Sequence, residues 1–414
     1  MSQEIGTNFS LSEPKKLIVI GGMKPNIPHL NAEHTSILEE EIIETVQNLS
    51  DSKDEDANYV FPKLLFELEV EVFSRIPYFQ FWKLNFLNKE FSKLLQSGEI
   101  FRWRRERGLV QPYVFVFSNG EKCWKMFDKD FKNFRKLPRV PSDCGFLYGE
   151  KETISAGTHL IIIGSDVKGI EVWRYELEMH KWIKDTAMIT PRTKFGSASR
   201  GSDAFFAGGT KRCKKGILEV VNVAEKYNAD TKRWTLINGM HKRRKFSSGC
   251  FLRGKFFVLG GLDENGKYLT CGESYDEMTD SWKLVPDMLK DMNFMSPQSL
   301  PLIAVVKDNL YLLEKWSKEV RVYDINANVW KKLGVVPVKV NPVLGWGVTF
   351  NSIGDKLMVI GASSADNSWK TTFSIYICHH PSPNVEELLW EEYKHCCDGV
   401  QLGHFIRNCC VMIA

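Results

Sequence analysis

The sequence lacks the motifs of several large enzyme classes. It has no Gly-rich phosphate loop ending in Lys-Ser or Lys-Thr, no Gly-x-Gly-x-x-Gly dinucleotide motif and no His-Glu-x-x-His zinc motif. Its longest apolar runs, such as 160–163, are far shorter than the roughly 20 residues that cross a bilayer. These absences argue against nucleotide-dependent or zinc-dependent catalysis of those kinds and against a membrane protein.

Charge and cysteine usage are equally unremarkable. The net charge of +4 is too small to indicate binding to nucleic acid or a membrane by bulk charge. The first ten residues carry no basic start or apolar core, so we expect no secretion signal and ten reduced cysteines in the nucleus or cytoplasm. The clusters Cys378-His379-His380 and His395-Cys396-Cys397 lack the spacing of metal ligands, so we predict no metal site and no cofactor.

What the sequence does have is an internal repeat. An aromatic pair separated by seven residues recurs five times, and a sixth, stretched copy is Tyr376 with Trp390. The second aromatics follow one another at steps of 48, 52, 48 and 48 residues. Polar turn residues separate the two aromatics of each pair, which predicts two short strands joined by a tight turn. The five regular pairs are Phe127/Phe134, Tyr175/Trp182, Tyr227/Trp234, Tyr275/Trp282 and Tyr323/Trp330.

An apolar run that ends in glycine precedes the aromatic pairs. Two of these runs end in a full doublet, Gly208-Gly209 and Gly260-Gly261, whereas other copies keep one glycine or none. A unit of about 48 residues with four strands has the size of one propeller blade. The first unit has no inner strand, and 405–413 reads as an inner strand without a blade. We therefore predict that the C-terminal strand completes the first blade and closes the ring.

A glycine doublet followed by Tyr and then Trp resembles the kelch repeat. The resemblance implies an all-β, six-bladed kelch-type propeller over 109–414. In such repeats the glycines and aromatics build the scaffold and do not identify a ligand.

Residues 58–108 precede the repeats and read as a small helical domain. Leu65, Leu68, Val72 and Ile76 form one apolar stripe that stops at Pro77. Leu84, Leu87, Phe91 and Leu94 form another, and a basic linking helix follows with Gly108 as its C-cap. These stripes predict a bundle of about three short helices before the linking helix.

Pro62, the stretch from Ser74 to Pro77 and the stripe that follows resemble an F-box, with Phe91 where its last helix usually has Trp. An F-box directly before such repeats is similar to the plant F-box/kelch-repeat proteins. That resemblance implies a non-catalytic substrate receptor of a cullin-based SCF ubiquitin ligase, which docks a Skp-type adaptor and holds a target protein on its propeller. The implied adaptor-binding residues are Pro62, Leu65, Leu68, Val72, Phe73, Ile76 and Pro77.

Two alternatives remain open. The helices could instead cap the propeller of a kelch interaction scaffold that has no link to a ligase. An oxidoreductase propeller is the third hypothesis, although the sequence shows no set of metal ligands for it.

Basic clusters and an acidic arm complete the pattern. The two basic clusters, 211–215 and 241–245, fall between predicted strands, where they could contact an anionic or phosphorylated target or simply be solvated. The cluster 241–245 could also form a nuclear localisation patch. Arg192 and Arg243 each precede a Phe by three residues, which suggests a structural arginine. Residues 1–57 carry four Lys and eleven Asp or Glu, a net −7, and are predicted to be mostly disordered. The candidate target-binding residues are Lys211, Arg212, Lys214, Lys215, Arg243 and Arg244.

Overall fold

The structure is a computed structural model that describes residues 66–167, 169–213, 216–292, 301–338, 347–362, 373–393 and 405–414. The predicted disordered arm, Pro62, Leu65, Lys214 and Lys215 lie outside these residues.

The first described elements are helical. They are α1 (Phe66–Arg75), a 3₁₀ turn (Tyr78–Gln80), α2 (Phe81–Asn85), α3 (Lys89–Gln96) and α4 (Glu99–Arg107). We call 66–107 the helical segment. A fifth helix, α5 (Cys144–Tyr148), lies between strands further along the chain.

Local signals explain where these helices begin and end. Proline fixes its own φ and restricts the residue before it, and α1 ends two residues before Pro77. The Asn88 side chain accepts a hydrogen bond of 2.7 Å from the Phe91 amide and so caps the first turn of α3. Gly108 ends α4 in the left-handed conformation at φ 68°, which confirms the predicted C-cap.

The rest of the described chain forms six four-stranded antiparallel sheets arranged as a propeller. The sheets are named blades I to VI, and the strands of each are given from the propeller axis outward. Blade I consists of β26 (Ile406–Ile413), β1 (Pro112–Ser118), β2 (Lys125–Phe127) and β3 (Phe134–Lys136). Blade II consists of β4 (Lys151–Ala156), β5 (His159–Ser165), β6 (Ile170–Glu176) and β7 (Lys181–Lys184).

Blades III and IV follow the same order. Blade III consists of β8 (Gly196–Arg200), β9 (Asp203–Ala207), β12 (Ala224–Asn228) and β13 (Arg233–Ile237). Between its second and third strands it carries an extra hairpin of β10 (Thr210–Arg212) and β11 (Leu218–Val220). Blade IV consists of β14 (Ser248–Leu252), β15 (Lys255–Leu259), β16 (Gly272–Asp276) and β17 (Ser281–Val285).

Blades V and VI complete the ring. Blade V consists of β18 (Leu302–Val306), β19 (Asn309–Glu314), β20 (Glu319–Asp324) and β21 (Val329–Val335). Blade VI consists of β22 (Thr349–Ile353), β23 (Lys356–Ala362), β24 (Phe373–Cys378) and β25 (Glu391–Glu392).

The C-terminal strand closes the propeller as the sequence predicted. β26 pairs with β1 from Pro112 opposite Ile413 to Ser118 opposite Ile406. It also contacts β22 and β4, the first strands of the two neighbouring blades. Because each first strand contacts those of adjacent blades, these six strands surround the axis.

All five regular aromatic pairs face each other across the third and fourth strands of a blade, as predicted from their spacing. Tyr227 lies directly opposite Trp234, and Tyr275 lies opposite Trp282. The Trp282 indole also donates a 2.6 Å hydrogen bond to the Asn238 carbonyl in the preceding connection. The sixth pair differs, because Tyr376 lies opposite Glu392 rather than Trp390. The insertion between the two strands shifts their register.

The direction of the strands gives the propeller two different faces. Turns between first and second strands and between third and fourth strands lie at one end, which we call the turn face. Connections between second and third strands, and those between blades, lie at the opposite end, which we call the loop face. The two basic clusters belong to loop-face connections.

Candidate interaction surfaces

The helical segment is fixed to the propeller by a buried arginine. Arg104 of α4 is 1% exposed and lies against the rings of Phe81 and Phe101. Its guanidinium donates to the carbonyls of Ser74 and Ile76, and its Nη1 lies 3.4 Å from the Tyr113 hydroxyl on β1. The last carbonyls of a helix have no partner within the helix, so Arg104 satisfies the end of α1 while joining it to blade I.

Tyr78 and Arg105 join the same segment to blades II and III. The buried Tyr78 hydroxyl donates a 2.9 Å hydrogen bond to the Leu177 carbonyl in the β6–β7 turn. Arg105 forms a 2.9 Å ion pair with Asp230 in the β12–β13 turn. Both turns belong to the turn face. The helical segment therefore packs on the turn face, and the loop face lies at the other end of the molecule.

The predicted adaptor-binding residues within the described chain occupy different environments. Leu68, Val72 and Pro77 are half-buried, whereas Phe73 and Ile76 are buried in the helical segment itself. Phe91 packs edge-on against Phe73 with ring centroids 4.8 Å apart. In this structure Phe73 and Ile76 therefore stabilise the helices and leave little surface for a partner.

Sequence reasoning missed a set of exposed aromatic side chains on the same segment. Phe66 of α1 is 56% exposed, Trp82 of α2 is 49% exposed and Phe86 is 81% exposed. The rings of Trp82 and Phe86 are in edge contact at 6.2 Å. Exposed clusters of large apolar side chains often mark sites of protein association. A stripe pattern could not identify these residues, because they lie outside the two stripes.

The basic clusters of the loop face are divided between surface and core. Lys211, Arg212 and Arg243 are on or near the surface. Arg244, in contrast, is 0% exposed and forms a 2.7 Å ion pair with the equally buried Glu273. Including Arg244 among target-binding residues was therefore wrong, because its guanidinium is used inside the protein.

Arg244 with Glu273 and Arg192 with Glu225 form two equivalent buried pairs, which we call the arginine–glutamate clamps. Arg192 donates to Glu225 and to the Gly208 carbonyl, and Arg244 likewise binds the Gly260 carbonyl. Each Glu also accepts two backbone amides of the connection that carries its arginine. The clamps thus fasten the inter-blade connections to the third strands of blades III and IV.

Electrostatic interactions keep the carboxylate of the second clamp, Glu273, charged. Burial alone would raise the pKa of Glu273, but Arg244 and the amides of His241 and Lys242 hold that pKa below its usual value.

The structural arginine that the sequence suggested at Arg243 is Arg244, one residue later. Arg192 and Arg244 each lie two residues before a residue with positive φ, Lys194 and Phe246 respectively, so Phe246 is equivalent to Lys194 and not to Phe195.

A cavity of about 440 Å³ opens on the loop face beside the β10–β11 hairpin. The inter-blade connections contribute Lys194, Arg243 and Lys245 to its lining, and the hairpin contributes Ile217, Leu218 and Glu219. Within the described ranges, no group of three or more His, Cys, Asp or Glu could hold a metal ion. No helix among the same residues has the length and apolar character to span a bilayer.

Comparison with known proteins identifies the family. The Kelch motif model matches residues 243–289, which include the second clamp and blade IV. The chain is 56% identical to F-box/kelch-repeat protein At3g27150 of Arabidopsis thaliana, over 99% of this chain and 97% of that protein.

More distant relatives carry the same description. F-box/kelch-repeat proteins At1g26930 and SKIP11, both from Arabidopsis thaliana, are 35% and 34% identical and each align with 79% of this chain. The alignments cover 76% and 69% of those two proteins. The chain belongs to the F-box/kelch-repeat protein family.

Proposed function

We propose that this protein is a substrate receptor of an SCF-type ubiquitin ligase. The helical segment binds a Skp-type adaptor, and through it a cullin, while the propeller binds the target protein. The receptor performs no bond chemistry itself and acts by raising the concentration of the target near the ligase.

One observation carries most of the support for this proposal. The helical segment presents exposed aromatic side chains while Arg104, Tyr78 and Arg105 hold it against the turn face. An adaptor bound through those aromatics would leave the loop face free for a target. A rigid junction would also hold the target at a constant distance from the ligase, which favours transfer of ubiquitin.

The test is capture of a purified Skp-type adaptor by the intact chain. The pair Trp82→Asp/Phe86→Asp should lower adaptor binding at least about tenfold, because it places charge in an apolar contact. Leu68→Asp tests the residue implied by the family resemblance. Leu389→Asp is a matched control, since Leu389 is 84% exposed on blade VI.

The outcome separates the two candidate functions. Failure of the folded, full-length protein to bind the adaptor would reject the ligase proposal. The alternative, an interaction scaffold with a helical cap, is supported by the buried packing of Arg104 against Tyr113. That alternative predicts that residues 66–107 resist proteolysis without any adaptor. It also predicts that Trp82→Asp/Phe86→Asp leaves the affinity for partner proteins unchanged.

A further inference from the structure

The β10–β11 hairpin is an addition to the regular blade, and it exposes two aliphatic side chains. Among the described residues, blade III alone has a hairpin of this kind between its second and third strands. Ile217 is 64% exposed and its neighbour Leu218 is 60% exposed, although both line the cavity on the loop face. Such adjacent aliphatic side chains at a cavity rim provide apolar surface for a ligand to cover.

Positive charge surrounds this apolar rim. Lys194 and Lys245 are half-buried in the cavity wall. The buried Glu152 accepts a hydrogen bond from the Lys194 backbone amide and interacts electrostatically with Lys194. The Lys194 ammonium lies 4.7 Å from the centre of the Phe246 ring, which holds it at the cavity. Arg243 and Lys211 share one carboxylate, Glu219, at 3.5 and 3.3 Å.

The charge count of this site favours an anionic ligand. The cavity is lined by three cations, Lys194, Arg243 and Lys245, and by two carboxylates, Glu219 and Glu264, so the net charge of its lining is 3 − 2 = +1. Lys211 and Arg212 add two further positive charges on β10, whose Thr210 also lines the cavity. The arginine–glutamate clamps fix the two connections that carry Lys194, Arg243 and Lys245. The backbone at these three cations is therefore held in place.

We infer that this cavity binds an acidic peptide segment of the target, in which an aliphatic side chain stands among anionic ones. The aliphatic side chain would cover Ile217 and Leu218, and the anionic groups would contact Lys194, Lys245 and Arg243. Carboxylate and phosphate side chains share this chemistry. The inference specifies the target side of the proposed function and rests on the propeller being a protein-binding module, but it does not require adaptor binding.

The experiment begins with an unbiased selection. A phage library of random 12-residue peptides is panned on the immobilised full-length protein, with competition by the variant Lys194→Glu/Lys245→Glu in solution. Enriched peptides are expected to be net negative and to contain a Leu, Ile, Val or Met. Absence of enrichment, or enrichment of neutral or basic peptides, overturns the inference.

Affinity measurements on the most enriched peptide then locate its site. Lys194→Glu/Lys245→Glu should weaken binding at least about tenfold, and higher salt should weaken wild-type binding as well. Ile217→Ser/Leu218→Ser should weaken it about five- to tenfold through loss of apolar contact. Lys181→Glu/Arg233→Glu is the matched control, since these exposed cations begin fourth strands next to the turn face. Equal loss in the control variant would contradict the assigned site.

Two further measurements keep the result interpretable. Lys194→Gln/Lys245→Gln removes charge without reversing it, and each variant must unfold at the wild-type temperature before its affinity is compared. The peptide is also synthesised with phosphoserine in place of its acidic residues, and the tighter version identifies the anion. Adaptor capture is assayed in parallel: acidic peptide binding without adaptor binding rejects the ligase proposal alone, and the reverse result rejects this inference alone.

Discussion

Blades III and IV differ from blades II, V and VI in how they hold the connections on the loop face. Blades III and IV combine a glycine doublet with an arginine–glutamate clamp. In blades II, V and VI the position of the clamp glutamate, two residues before the tyrosine, is taken by Trp173, Arg321 and Ser374. The doublet is incomplete in the same three blades.

The geometry explains why doublet and clamp occur together. Gly209 and Gly261 have φ of 100° and 91°, and a Cβ on them would lie 2.4 Å from the Thr193 carbonyl oxygen and 2.5 Å from that of Lys245. The connection that carries the clamp arginine therefore passes directly over the second glycine. The doublet and the clamp form one device, which lets a connection approach the sheet and then fastens it there.

The largest effect on stability should come from removing the C-terminal strand that closes the ring, because all six blades depend on that closure. Deletion of residues 405–414 removes β26, so β1 loses its hydrogen-bonded partner and becomes an open edge, and β4 and β22 lose a packing neighbour at the axis. We expect loss of the soluble folded protein, because open sheet edges aggregate. Solubility and circular dichroism measure this outcome, and a well-folded truncated protein would contradict ring closure as a requirement.

The next largest effect should separate the two kinds of blade. Glu273→Ala leaves Arg244 buried without its carboxylate and should lower the free energy of unfolding by about 3–5 kcal/mol. Glu319→Ala in blade V removes partners of Arg321 and Lys332 nearer the surface and should cost less than about 1 kcal/mol. Urea denaturation of both variants is the measurement. Similar losses would mean that the clamp has no special role.

Alanine substitutions test the glycine half of the device. Gly261→Ala introduces both a strained φ and a contact with the Lys245 carbonyl, so we expect a loss of about 2–3 kcal/mol. Gly361→Ala in blade VI places its Cβ 3.1 Å from a Val348 methyl group without a positive φ, and should cost about 1 kcal/mol. Thermal unfolding compares the two variants. The reverse order would show that the close approach is readily relieved.

A smaller, pH-dependent effect concerns the boundary between blades II and III. His159 is buried there, with its Nδ1 3.2 Å from the Tyr227 hydroxyl. Burial lowers the pKa of His159 to about 4 despite the nearby Glu176. Between pH 6.5 and 4 the unfolded chain therefore binds a proton that the native protein does not, and this contribution to stability falls as pH falls.

The variant His159→Gln isolates that contribution. Between pH 7 and pH 5 the wild type should lose roughly 2 kcal/mol more unfolding free energy than the variant. The measurement is urea denaturation at the two pH values. Parallel pH profiles would indicate that the native protein does not lower the pKa of His159.

The sequence predicted local features well and misplaced those that depend on neighbours. The regular aromatic pairs are predictable because a short hairpin fixes its own register, and the insertion after Tyr376 removes that constraint. Helical periodicity identified an apolar stripe that includes Ile76, but it could not tell which neighbouring element covers that stripe. The adaptor-binding role of the half-buried Leu68, Val72 and Pro77 stays a prediction.

On the loop face, some cations could be identified from the sequence, whereas the position of others depends on the fold. The sequence identifies two basic clusters, to which Lys211, Arg212 and Arg243 belong, and the role of these three residues in target binding also stays a prediction. Lys194 and Lys245 line the cavity only because two inter-blade connections meet beside the β10–β11 hairpin, where Ile217 and Leu218 form the cavity rim. Arg243 and Arg244 are chemically identical neighbours, and the path of one connection leaves the first exposed and buries the second.

The sequence by itself determined the number of blades, the hairpin in each regular repeat and the helices before them, because turn residues, capping residues and aromatic spacing act over a few residues. Only the tertiary structure decided which charged side chains are buried in the arginine–glutamate clamps and which remain exposed on the loop face. Those outcomes depend on contacts between residues far apart in the chain, and burial is a property of the whole packed ring.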